Sequence, residues 1–304
     1  MRAARIHAYG DPGVIRYEDA PMPKAGVGEV LLKVAAIAHN PSDVWFRSGM
    51  LHEMFPADFP AILGAEVAGI VVAPGKDALF ALGDRVMGRL DSGGTAAEYV
   101  AAPVSNLVAA PTTLPLEHAA AIPVAGLTAW QAVFEQARVR PGERVLINGA
   151  GGGVGSFAVQ LARHAGATVI ATAGPRSAEA VRGHGARLVV DYTRDALADA
   201  IGEPVDVLLN LAGIAPETAA GLGVLVRPGG RIVSAATPVE APDGVTSTHF
   251  VARNDVAQLA ELSVLVDRGV VTVDVSETRP LAEIGEVHRA AEAGAIRGKV
   301  VLIP

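Results

Sequence analysis

The architecture of this chain follows from one segment, Arg144-Val-Leu-Ile-Asn-Gly-Ala-Gly-Gly-Gly-Val-Gly155, which continues as Ser156-Phe-Ala-Val-Gln-Leu-Ala-Arg-His164. The apolar run Val145–Ile147 comes after the turn signal Pro141-Gly142 and predicts a buried parallel strand. Apolar residues at helical spacing resume after the glycines. A strand, a glycine turn and a helix in this order place backbone N–H groups and a positive helix end against a diphosphate.

The glycine spacing is Ala150-x-Gly152-x-x-Gly155, with alanine where the first glycine of a dinucleotide fingerprint usually stands. Gly152 would let the backbone approach the phosphates, and Gly155 would let the helix pack closely on the strand. The spacing alone is weak evidence, and a glycine-rich loop without a ligand is the alternative. The position of the turn between a strand and a helix favours a cofactor site.

The composition indicates a globular protein of about two domains. Half of the 304 residues are hydrophobic, and the formal net charge of -7 argues against a nucleic-acid or anionic-membrane partner. The absence of cysteine excludes disulfides, thiolate zinc sites and cysteine nucleophiles. Met1–Gly10 lacks the apolar core of a signal peptide, and no apolar stretch is long enough to span a bilayer, so we expect a cytoplasmic protein.

Residues 1 to about 110 alternate short apolar runs with turn signals, which predicts a small irregular β-barrel. One helix interrupts the strands, opening at Pro41-Ser42-Asp43 and running towards Gly49. The predicted strands are Arg5–Ala8, Val14–Glu18, Glu29–Ala38, Glu66–Val72, Arg85–Arg89 and Glu98–Ala102.

Beyond Leu116 the pattern changes: Leu116–Gln136 is predicted helical with a break at Pro123, and strands and helices alternate afterwards. This alternation predicts βαβ units and a doubly wound parallel sheet with helices on both faces. Strands are expected at 145–149, 167–172, 187–191, 205–210 and 230–235, and helices at 153–165, 177–184, 195–201, 216–226 and 255–268.

The C-terminal part offers a strand at Val270–Val275, a helix at Leu281–Ala293 and a strand at Lys299–Ile303. These elements would either extend the parallel sheet or return to the first domain, and the sequence favours neither.

Several short motifs recur in a fixed order along the chain. They are Asn40-Pro-Ser-Asp43, Gly64-Ala-Glu-Val-Ala-Gly69, Pro74-Gly75, Gly83-Asp-Arg-Val86, Ala97-Glu-Tyr99, Ala125-Gly-Leu-Thr-Ala-Trp130 and Gly298-Lys-Val-Val301. Together with the glycine turn, they make the chain resemble the medium-chain dehydrogenase/reductase superfamily. The resemblance is to its zinc-free branch, which holds quinone oxidoreductases, ζ-crystallin and mitochondrial-type enoyl reductases.

The resemblance implies a mixed α/β fold with an active site in the cleft between two domains. It assigns 1–118 and 250–304 to a GroES-like β-barrel catalytic domain, and 119–249 to a doubly wound Rossmann NADP-binding domain. Zinc-dependent relatives carry a cysteine at the position of Asn40 and a histidine at that of Ala65, so no metal site is expected. Without a Lewis acid, hydride transfer to a conjugated acceptor is easier than alcohol oxidation, because only the developing enolate needs a hydrogen-bond donor.

The cofactor is expected to be NADP(H) rather than NAD(H). No carboxylate lies near Thr172, about twenty residues past the glycines, where NAD sites usually carry one. Gly174, Arg176 and Ser177 would instead surround a 2′-phosphate, and Tyr192 matches a pocket tyrosine of similar quinone oxidoreductases. The alternative is that Arg176 is a solvated surface charge.

The resemblance also implies further cofactor contacts. Lys299 and Arg297 would help to neutralise the phosphates, although Lys299 would otherwise be a surface charge beside a strand. The residues implied near the dinucleotide are Asn40, Thr128, Ala150, Gly152, Gly153, Val154, Gly155, Thr172, Asn210, Ala212, Gly213, Ala235, Ala236 and Phe250.

Three residues are candidates for catalysis. The Asn40 amide would orient substrate or nicotinamide by donating to a carbonyl, and its alternative is to cap the helix that follows. Trp45 and Leu51 stand where bacterial quinone oxidoreductases often have tyrosines; Trp45 would stack on a planar acceptor or belong to the core. His52 would supply a proton, or it is simply exposed in a loop. Asp43 is expected to serve the helix end, and Glu66 to make polar contacts inside the barrel.

The leading hypothesis is an NADPH-dependent, zinc-independent reductase of quinones or α,β-unsaturated carbonyl compounds. An enoyl-thioester reductase and a non-catalytic NADPH-binding protein are the alternatives. The expected partners are a small-molecule acceptor and a second copy of the chain as a homodimer, with neither nucleic acid nor membrane.

Overall fold

The structure is a computed structural model that describes residues 1–77 and 79–304. In chain order its strands are β1 (Arg2–Ile6), β2 (Ile15–Asp19), β3 (Glu29–Ala38), β4 (Ala61–Ile62), β5 (Glu66–Pro74), β6 (Arg85–Arg89), β7 (Tyr99–Pro103), β8 (Leu107–Ala109), β9 (Arg144–Asn148), β10 (Thr168–Thr172), β11 (Leu188–Val190), β12 (Val205–Asn210), β13 (Val226–Ser234), β14 (Thr246–His249), β15 (Val275–Pro280) and β16 (Lys299–Ile303). Its α-helices are α1 (Pro41–Ser48), α2 (Leu116–Ala119), α3 (Pro123–Trp130), α4 (Gly153–His164), α5 (Ala178–Gly183), α6 (Leu197–Ile201), α7 (Pro216–Gly223), α8 (Val256–Asp267) and α9 (Ile284–Glu292).

The chain divides into two compact units. The barrel unit comprises Met1–Val124, Asn254–Asp267 and Val275–Pro304, and the Rossmann unit comprises Ala125–Arg253 and Arg268–Asp274. The division expected from the sequence, with boundaries after residues 118 and 249, did not assign the short segment 268–274 to the Rossmann unit. The fold is the mixed α/β architecture that the sequence predicted.

The barrel unit is built on β3, which pairs antiparallel with β5, β7 and β16. Buried residues alternate with more exposed ones along most of this strand, and Val30, Leu32 and Val34 lie in the core. This period of two is the pattern of a strand with one face towards an apolar interior. A separate three-stranded sheet has the order β2-β1-β4.

The C-terminal elements return to the barrel unit, which decides the alternative that the sequence left open. β16 pairs with β3, with Val301 opposite Ala38, and β15 lies parallel to β16. The predicted strand at Val270–Val275 is wrong, because the strand there is Val275–Pro280. Thr272 instead bonds Gln160 of α4 through both its N–H and its hydroxyl group, which holds this segment in the Rossmann unit.

The Rossmann unit contains a six-stranded parallel sheet with the order β11-β10-β9-β12-β13-β14. β9 has β10 on one side and β12 on the other, so the strand order reverses at β9. Ligands of such sheets bind outside the carboxyl ends of the strands at this switch point. The glycine turn follows β9 directly and therefore lies at that position.

The predicted strands and helices of this unit are present, with one addition. β14 was missed because all four of its residues are polar and exposed, so it carries no apolar alternation. The predicted break at Pro123 is confirmed, since α2 ends at Ala119 and α3 begins at the proline. Proline lacks the N–H that a continuing helix needs and is well placed at a helix start. A π-helical segment, Gln131–Gln136, follows α3.

The predicted helix after Asn40 is α1, with a proline in its first turn. It ends at Gly49, whose φ of 85° is in the left-handed region that glycine adopts without strain. A Cβ on Gly49 would also lie 3.0 Å from Cγ of Tyr9. This helix fixes Asn40 at one end and Trp45 on its exposed side.

Across residues 1–77 and 79–304, no helix combines the length and the apolar character required to cross a bilayer.

Candidate functional site

The glycine turn forms a cradle at the start of α4. Gly152 precedes the helix in extended backbone and is exposed, while Ala150 is fully buried. The first-turn N–H groups, which belong to Gly153, Val154 and Gly155, have no acceptor within a helix and are available to an anion. A Cβ on Gly155 would lie 2.2 Å from the carbonyl oxygen of Gly149, so only glycine permits this close turn. These residues fit a dinucleotide diphosphate.

The residues expected around a 2′-phosphate lie beside this cradle. A Cβ on Gly151 would be 2.2 Å from the Ser177 hydroxyl oxygen, and one on Gly174 would be 3.5 Å from that of Tyr192. Arg176 and Tyr192 are exposed, whereas Ser177 is buried and its hydroxyl donates to the Gly174 carbonyl at 3.3 Å. Gly174, Arg176 and Ser177 thus follow β10 and Tyr192 follows β11, and Ser177 and Tyr192 lie close to Gly151 and Gly174.

A chain of side-chain hydrogen bonds connects the carboxyl ends of three neighbouring strands. The Thr172 hydroxyl donates to Asn148 Oδ1 at 2.7 Å, and Asn148 Nδ2 donates to Asn210 Oδ1 at 2.8 Å. Asn210 Nδ2 then donates to the Thr237 carbonyl at 2.6 Å. The backbone N–H of Gly149 donates to the Thr172 hydroxyl at 3.1 Å, which ties the glycine turn to the chain. We call Thr172, Asn148, Asn210 and Thr237 the strand-end network.

This network changes the interpretation of two predicted cofactor contacts. Thr172 is 2% exposed and Asn210 is fully buried, and their polar atoms bond within the protein. Their side chains therefore support the loops at the carboxyl ends of the strands, and direct contact with the ribose or the nicotinamide stays a prediction. Asn148 and Thr237 were missed. The sequence held a signal for Asn148, because it and Asn210 end adjacent parallel strands and pair in register.

Most of the remaining residues expected near the nicotinamide come directly after strands of the sheet, at their carboxyl ends. Thr128 is the exception and lies half-buried in α3. A Cβ on Gly149 would be 3.0 Å from Cβ of Ala212, so the turn after β12 packs against the glycine turn. The others are Gly213 after β12, Ala235 and Ala236 after β13, and Phe250 after β14.

The barrel unit holds a second polar cluster, centred on the ammonium group of Lys299. Lys299 Nζ donates to Glu66 Oε1 at 2.8 Å, to Asn40 Oδ1 at 2.7 Å and to the His39 carbonyl at 3.0 Å. Glu66 Oε1 also accepts from Asn40 Nδ2 at 2.7 Å, and Oε2 accepts from the Val124 backbone at 2.7 Å. Lys299 is 3%, Glu66 0% and Asn40 4% exposed. We call Lys299, Glu66 and Asn40 the lysine network.

The lysine network corrects the expectation for Lys299. Its three N–H groups all have acceptors inside the barrel unit, so it is neither a surface charge nor a phosphate contact in this arrangement. The sequence carried no signal for this pairing, because Glu66 and Lys299 are 233 residues apart. Arg297, the other expected phosphate contact, is half-buried. The prediction that Glu66 makes polar contacts inside the barrel is confirmed.

Asp43 lies next to the lysine network and behaves as the sequence predicted, at the end of α1. Its carboxylate accepts from the backbone N–H of Asn40 at 2.8 Å. Burial raises the pKa of Asp43 to about 7, and the nearby Glu66 carboxylate adds to this effect. The Asn40 amide is hydrogen-bonded to Glu66 and Lys299, so it has little remaining capacity for other hydrogen-bond partners.

Three buried basic residues, His39, Arg47 and His288, form a cluster at α1 and α9 that the sequence did not predict. The rings of His39 and His288 meet edge to face, with centroids 5.0 Å apart. Burial lowers the pKa of His288 to about 4, assisted by the Arg47 charge, and lowers that of His39 well below its usual value. Neither ring nitrogen of His288 has a hydrogen-bond partner within residues 1–77 and 79–304. Arg47 is fully buried and pairs with Glu292.

The two other catalytic candidates lie on the surface of the barrel unit. Trp45 is 41% exposed, so its interpretation as a core residue is wrong, while stacking on an acceptor stays a prediction. His52 is exposed, and its Nδ1 donates to the Gly49 carbonyl at 2.8 Å, which leaves Nε2 for solvent or substrate. Tyr9 was not among the predicted residues. Its hydroxyl accepts from the Ala57 N–H at 2.9 Å, in the segment that follows His52.

The donor set around Asn40 does not suit a metal ion. Asn40 and Ala65 occupy the positions where zinc-dependent relatives carry ligands, and the Lys299 ammonium lies 2.7 Å from Asn40 Oδ1. A cation would be repelled by this charge, and neither residue supplies a thiolate or an imidazole. Among the described residues, no group of three or more histidines and carboxylates is arranged to hold a metal.

Comparison with known proteins agrees with this architecture. The model of the alcohol dehydrogenase GroES-like domain matches residues 26–112, and that of a zinc-binding dehydrogenase matches residues 184–302. A quinone oxidoreductase of Pseudomonas aeruginosa is 30% identical, over 98% of each chain. A 2-haloacrylate reductase of Burkholderia is also 30% identical, over 100% of this chain and 99% of its own.

Solved structures give the same result. The structure of the Escherichia coli quinone oxidoreductase complexed with NADPH aligns over 100% of both chains, with a TM-score of 0.88 and 25% identity. The fold thus binds a nicotinamide nucleotide, and the protein is an oxidoreductase. The chain belongs to the medium-chain dehydrogenase/reductase superfamily, in its zinc-free quinone oxidoreductase branch.

Proposed function

We propose that this protein is an NADPH-dependent, zinc-independent reductase of quinones or α,β-unsaturated carbonyl compounds. The observation that carries the proposal is the glycine cradle, which fits a diphosphate at the switch point of the sheet. The lysine network supports it, because a buried ammonium bonded to Asn40 replaces the ligands that an alcohol dehydrogenase would need. Both Pseudomonas and Escherichia relatives are named as quinone oxidoreductases.

The preference for NADPH rests on the group beside the cradle. Ser177 and Tyr192 carry hydroxyls, and Arg176 offers a planar set of donors that suits a phosphate. A 2′-phosphate bound there would meet no carboxylate on Ile170–Ser177, whereas the ribose diol of NADH would lack its usual acidic partner.

The protein's contribution to the reaction would be positioning rather than acid–base chemistry at a metal. When bound, NADPH supplies the hydride. First-turn N–H groups of α4 would hold the diphosphate, and the strand-end network would keep the surrounding loops rigid. Exposed Trp45 would stack against a planar acceptor, and Nε2 of His52 or solvent would provide the proton that completes reduction.

The proposal is tested by NADPH consumption with 1,4-benzoquinone, a simple enone and a crotonyl thioester side by side. We expect turnover with the quinone or the enone, and none with primary alcohols and NADP⁺ at neutral pH. Turnover of the thioester alone would identify an enoyl-thioester reductase. Tight NADPH binding without oxidation by any acceptor would identify a non-catalytic binding protein.

Cofactor choice is tested by the variant Arg176→Ala. Losing one guanidinium–phosphate contact should weaken NADPH binding by about tenfold and leave NADH binding unchanged. Arg187→Ala, at an exposed arginine just before β11, is the matched control. Equal losses for both cofactors would exclude a 2′-phosphate contact by Arg176. A wild-type preference for NADH would overturn the NADPH assignment. Size-exclusion chromatography would test the homodimer, which the sequence leads us to propose.

A further inference from the structure

One hydroxyl group joins two loops at the carboxyl ends of neighbouring strands in the Rossmann unit. The Thr237 hydroxyl, in the loop after β13, donates to the Ile214 carbonyl at 2.9 Å and accepts from the Ile214 N–H at 3.0 Å. Ile214 lies in the loop between β12 and α7. A single side chain thus binds both backbone groups of one residue in the neighbouring loop. We call this pair of hydrogen bonds the Thr237 clamp.

The strand-end network holds the base of the clamp. The Thr237 carbonyl accepts from Asn210 Nδ2 at 2.6 Å, and the Ala235 N–H donates to the Asn210 carbonyl at 3.1 Å. Asn210 itself is fully buried at the end of β12. At the far end of the loop, Ile214 packs against a buried apolar cluster of the Rossmann unit. The conformation of residues 211–214 is therefore fixed at both ends.

The position of the clamp in the sheet indicates which half of the cofactor it serves. The strand order reverses at β9, and the two halves of a dinucleotide bind on the two sides of such a reversal. The residues expected around the 2′-phosphate follow β10 and β11, on one side. The clamp joins the loops after β12 and β13, on the other side. It therefore belongs to the side that receives the nicotinamide half.

The loop held by the clamp offers backbone groups to a ligand. The N–H groups of Ala212 and Gly213 have no acceptor among residues 1–77 and 79–304. Gly213 is exposed, and a Cβ added there would meet no atom within 4 Å. The same loop packs on the glycine turn, through the contact between Ala212 and Gly149. Donors without a protein partner thus lie in the segment that connects the diphosphate cradle to the clamp.

We propose that Thr237 is a positioning residue that holds the loop of residues 211–214 in the conformation that binds the nicotinamide half of NADP(H). This inference rests on the proposed function and makes it more specific. It requires no contact with the barrel unit, because both loops belong to Ala125–Arg253 of the Rossmann unit.

The test compares NADP⁺ with 2′-phospho-ADP-ribose, which keeps the 2′-phosphate, the diphosphate and both riboses but lacks the nicotinamide ring. Thr237→Val keeps the volume of the side chain and leaves the N–H and the carbonyl of Ile214 without their partner. We expect NADP⁺ binding to weaken by about tenfold and binding of the fragment to change by less than about twofold. Isothermal titration calorimetry measures both affinities.

Two further variants serve as controls. Thr237→Ser keeps the hydroxyl and should bind both ligands as wild type does. The Thr193 hydroxyl donates to Asp191 Oδ1 at 2.6 Å in the loop after β11, on the side of the 2′-phosphate. Because both ligands carry that phosphate, Thr193→Val should change the two affinities by the same factor.

Hydrogen exchange of the Ile214 N–H reports the clamp without any ligand. Exchange should be faster in Thr237→Val than in wild type and Thr237→Ser, because the N–H has lost its acceptor. Unchanged exchange in Thr237→Val would overturn the clamp.

The outcomes separate this inference from the proposed function. Equal weakening of both ligands in a folded Thr237→Val variant, or unchanged NADP⁺ binding, would overturn the positioning role. Failure of wild type to bind either ligand would instead overturn the proposed function, and the exchange of the Ile214 N–H would still judge the clamp.

Discussion

The lysine network and the strand-end network are both buried, yet they are made of different chemistry. The barrel unit uses a lysine and a glutamate, which bring full charges into a region from which water is excluded. The Rossmann unit uses two asparagines and two threonines, and it contains no charge in the chain from Thr172 to Thr237. Charged partners fix orientation strongly, whereas neutral partners form a network that loses less free energy when one bond is removed.

The difference has an energetic basis. A charge left alone in the interior costs several kcal/mol, while a neutral group that loses one partner costs about 1–3 kcal/mol. One substitution in the lysine network should therefore remove several kcal/mol from the free energy of unfolding, whereas each substitution in the strand-end network should remove a smaller amount. The predictions below exploit this contrast.

The largest effect is expected from Lys299→Met, which leaves the buried Glu66 carboxylate without its cation. We expect a loss of about 3–5 kcal/mol in the free energy of unfolding, measured by urea denaturation. Adding Glu66→Gln should recover most of it, because the unpaired charge is then gone. A single variant as stable as the double would contradict the cost that we assign to an unpaired buried carboxylate.

His288→Phe should change the pH dependence of stability, because the pKa of His288 is lowered to about 4 in the folded state. The unfolded chain binds a proton near pH 6.5 that the folded chain does not bind, so the contribution is complete above pH 6.5 and is lost as the pH falls towards 4. When the pH falls from 7 to 4, wild type should lose about 3 kcal/mol of its free energy of unfolding through His288, and the variant should not show this loss.

Other titratable and charged groups lie around His288, so the experiment must separate their effect on stability from that of His288. His39 and Arg47 face its ring, and Asp43 lies near His39, with an Oδ2–Nδ1 distance of 4.0 Å. The raised pKa of Asp43 acts in the opposite direction, since its contribution is present below the ordinary carboxyl pKa and is lost as the pH rises through about 7. The difference between variant and wild type isolates His288. A difference that stays constant with pH would contradict the prediction.

Asn148→Leu should destabilise the Rossmann unit by about 2 kcal/mol, because Asn210 Oδ1 and the Thr172 hydroxyl each lose a partner. Unlike the lysine network, this loss should not depend on pH between 5 and 8, as no titratable side chain takes part. Thermal unfolding at two pH values measures it. A pH-dependent loss would place a charge in the network.

The smallest effect is expected from Thr172→Val, which keeps the volume of the side chain and removes its hydroxyl. Stability should fall by about 1 kcal/mol. The Gly149 N–H also loses its acceptor, so NADPH binding should weaken by a few fold. Thr168→Val, at the other end of β10, is the control and should leave NADPH binding unchanged.

The sequence was sufficient where local pattern governs structure. The glycine turn, the alternation of strands and helices and the proline at α3 each follow from neighbours in the chain, and all are present. β14 was missed, because the residues Thr246–His249 are held by pairing with β13 and not by their own apolar pattern. The contacts of Lys299 were missed for the same kind of reason, since they join residues from distant parts of the sequence.

The pairing of β16 with β3 has a consequence for the order in which the protein is made. A ribosome completes Ala125–Arg253 before it reaches β16, so the parallel sheet can assemble on the nascent chain. Glu66, already synthesised, stays without its lysine partner until that residue is added 233 residues later. The barrel unit, whose strand β3 precedes the Rossmann unit in the chain, is therefore completed after it, and its interior closes only when β16 has left the exit tunnel.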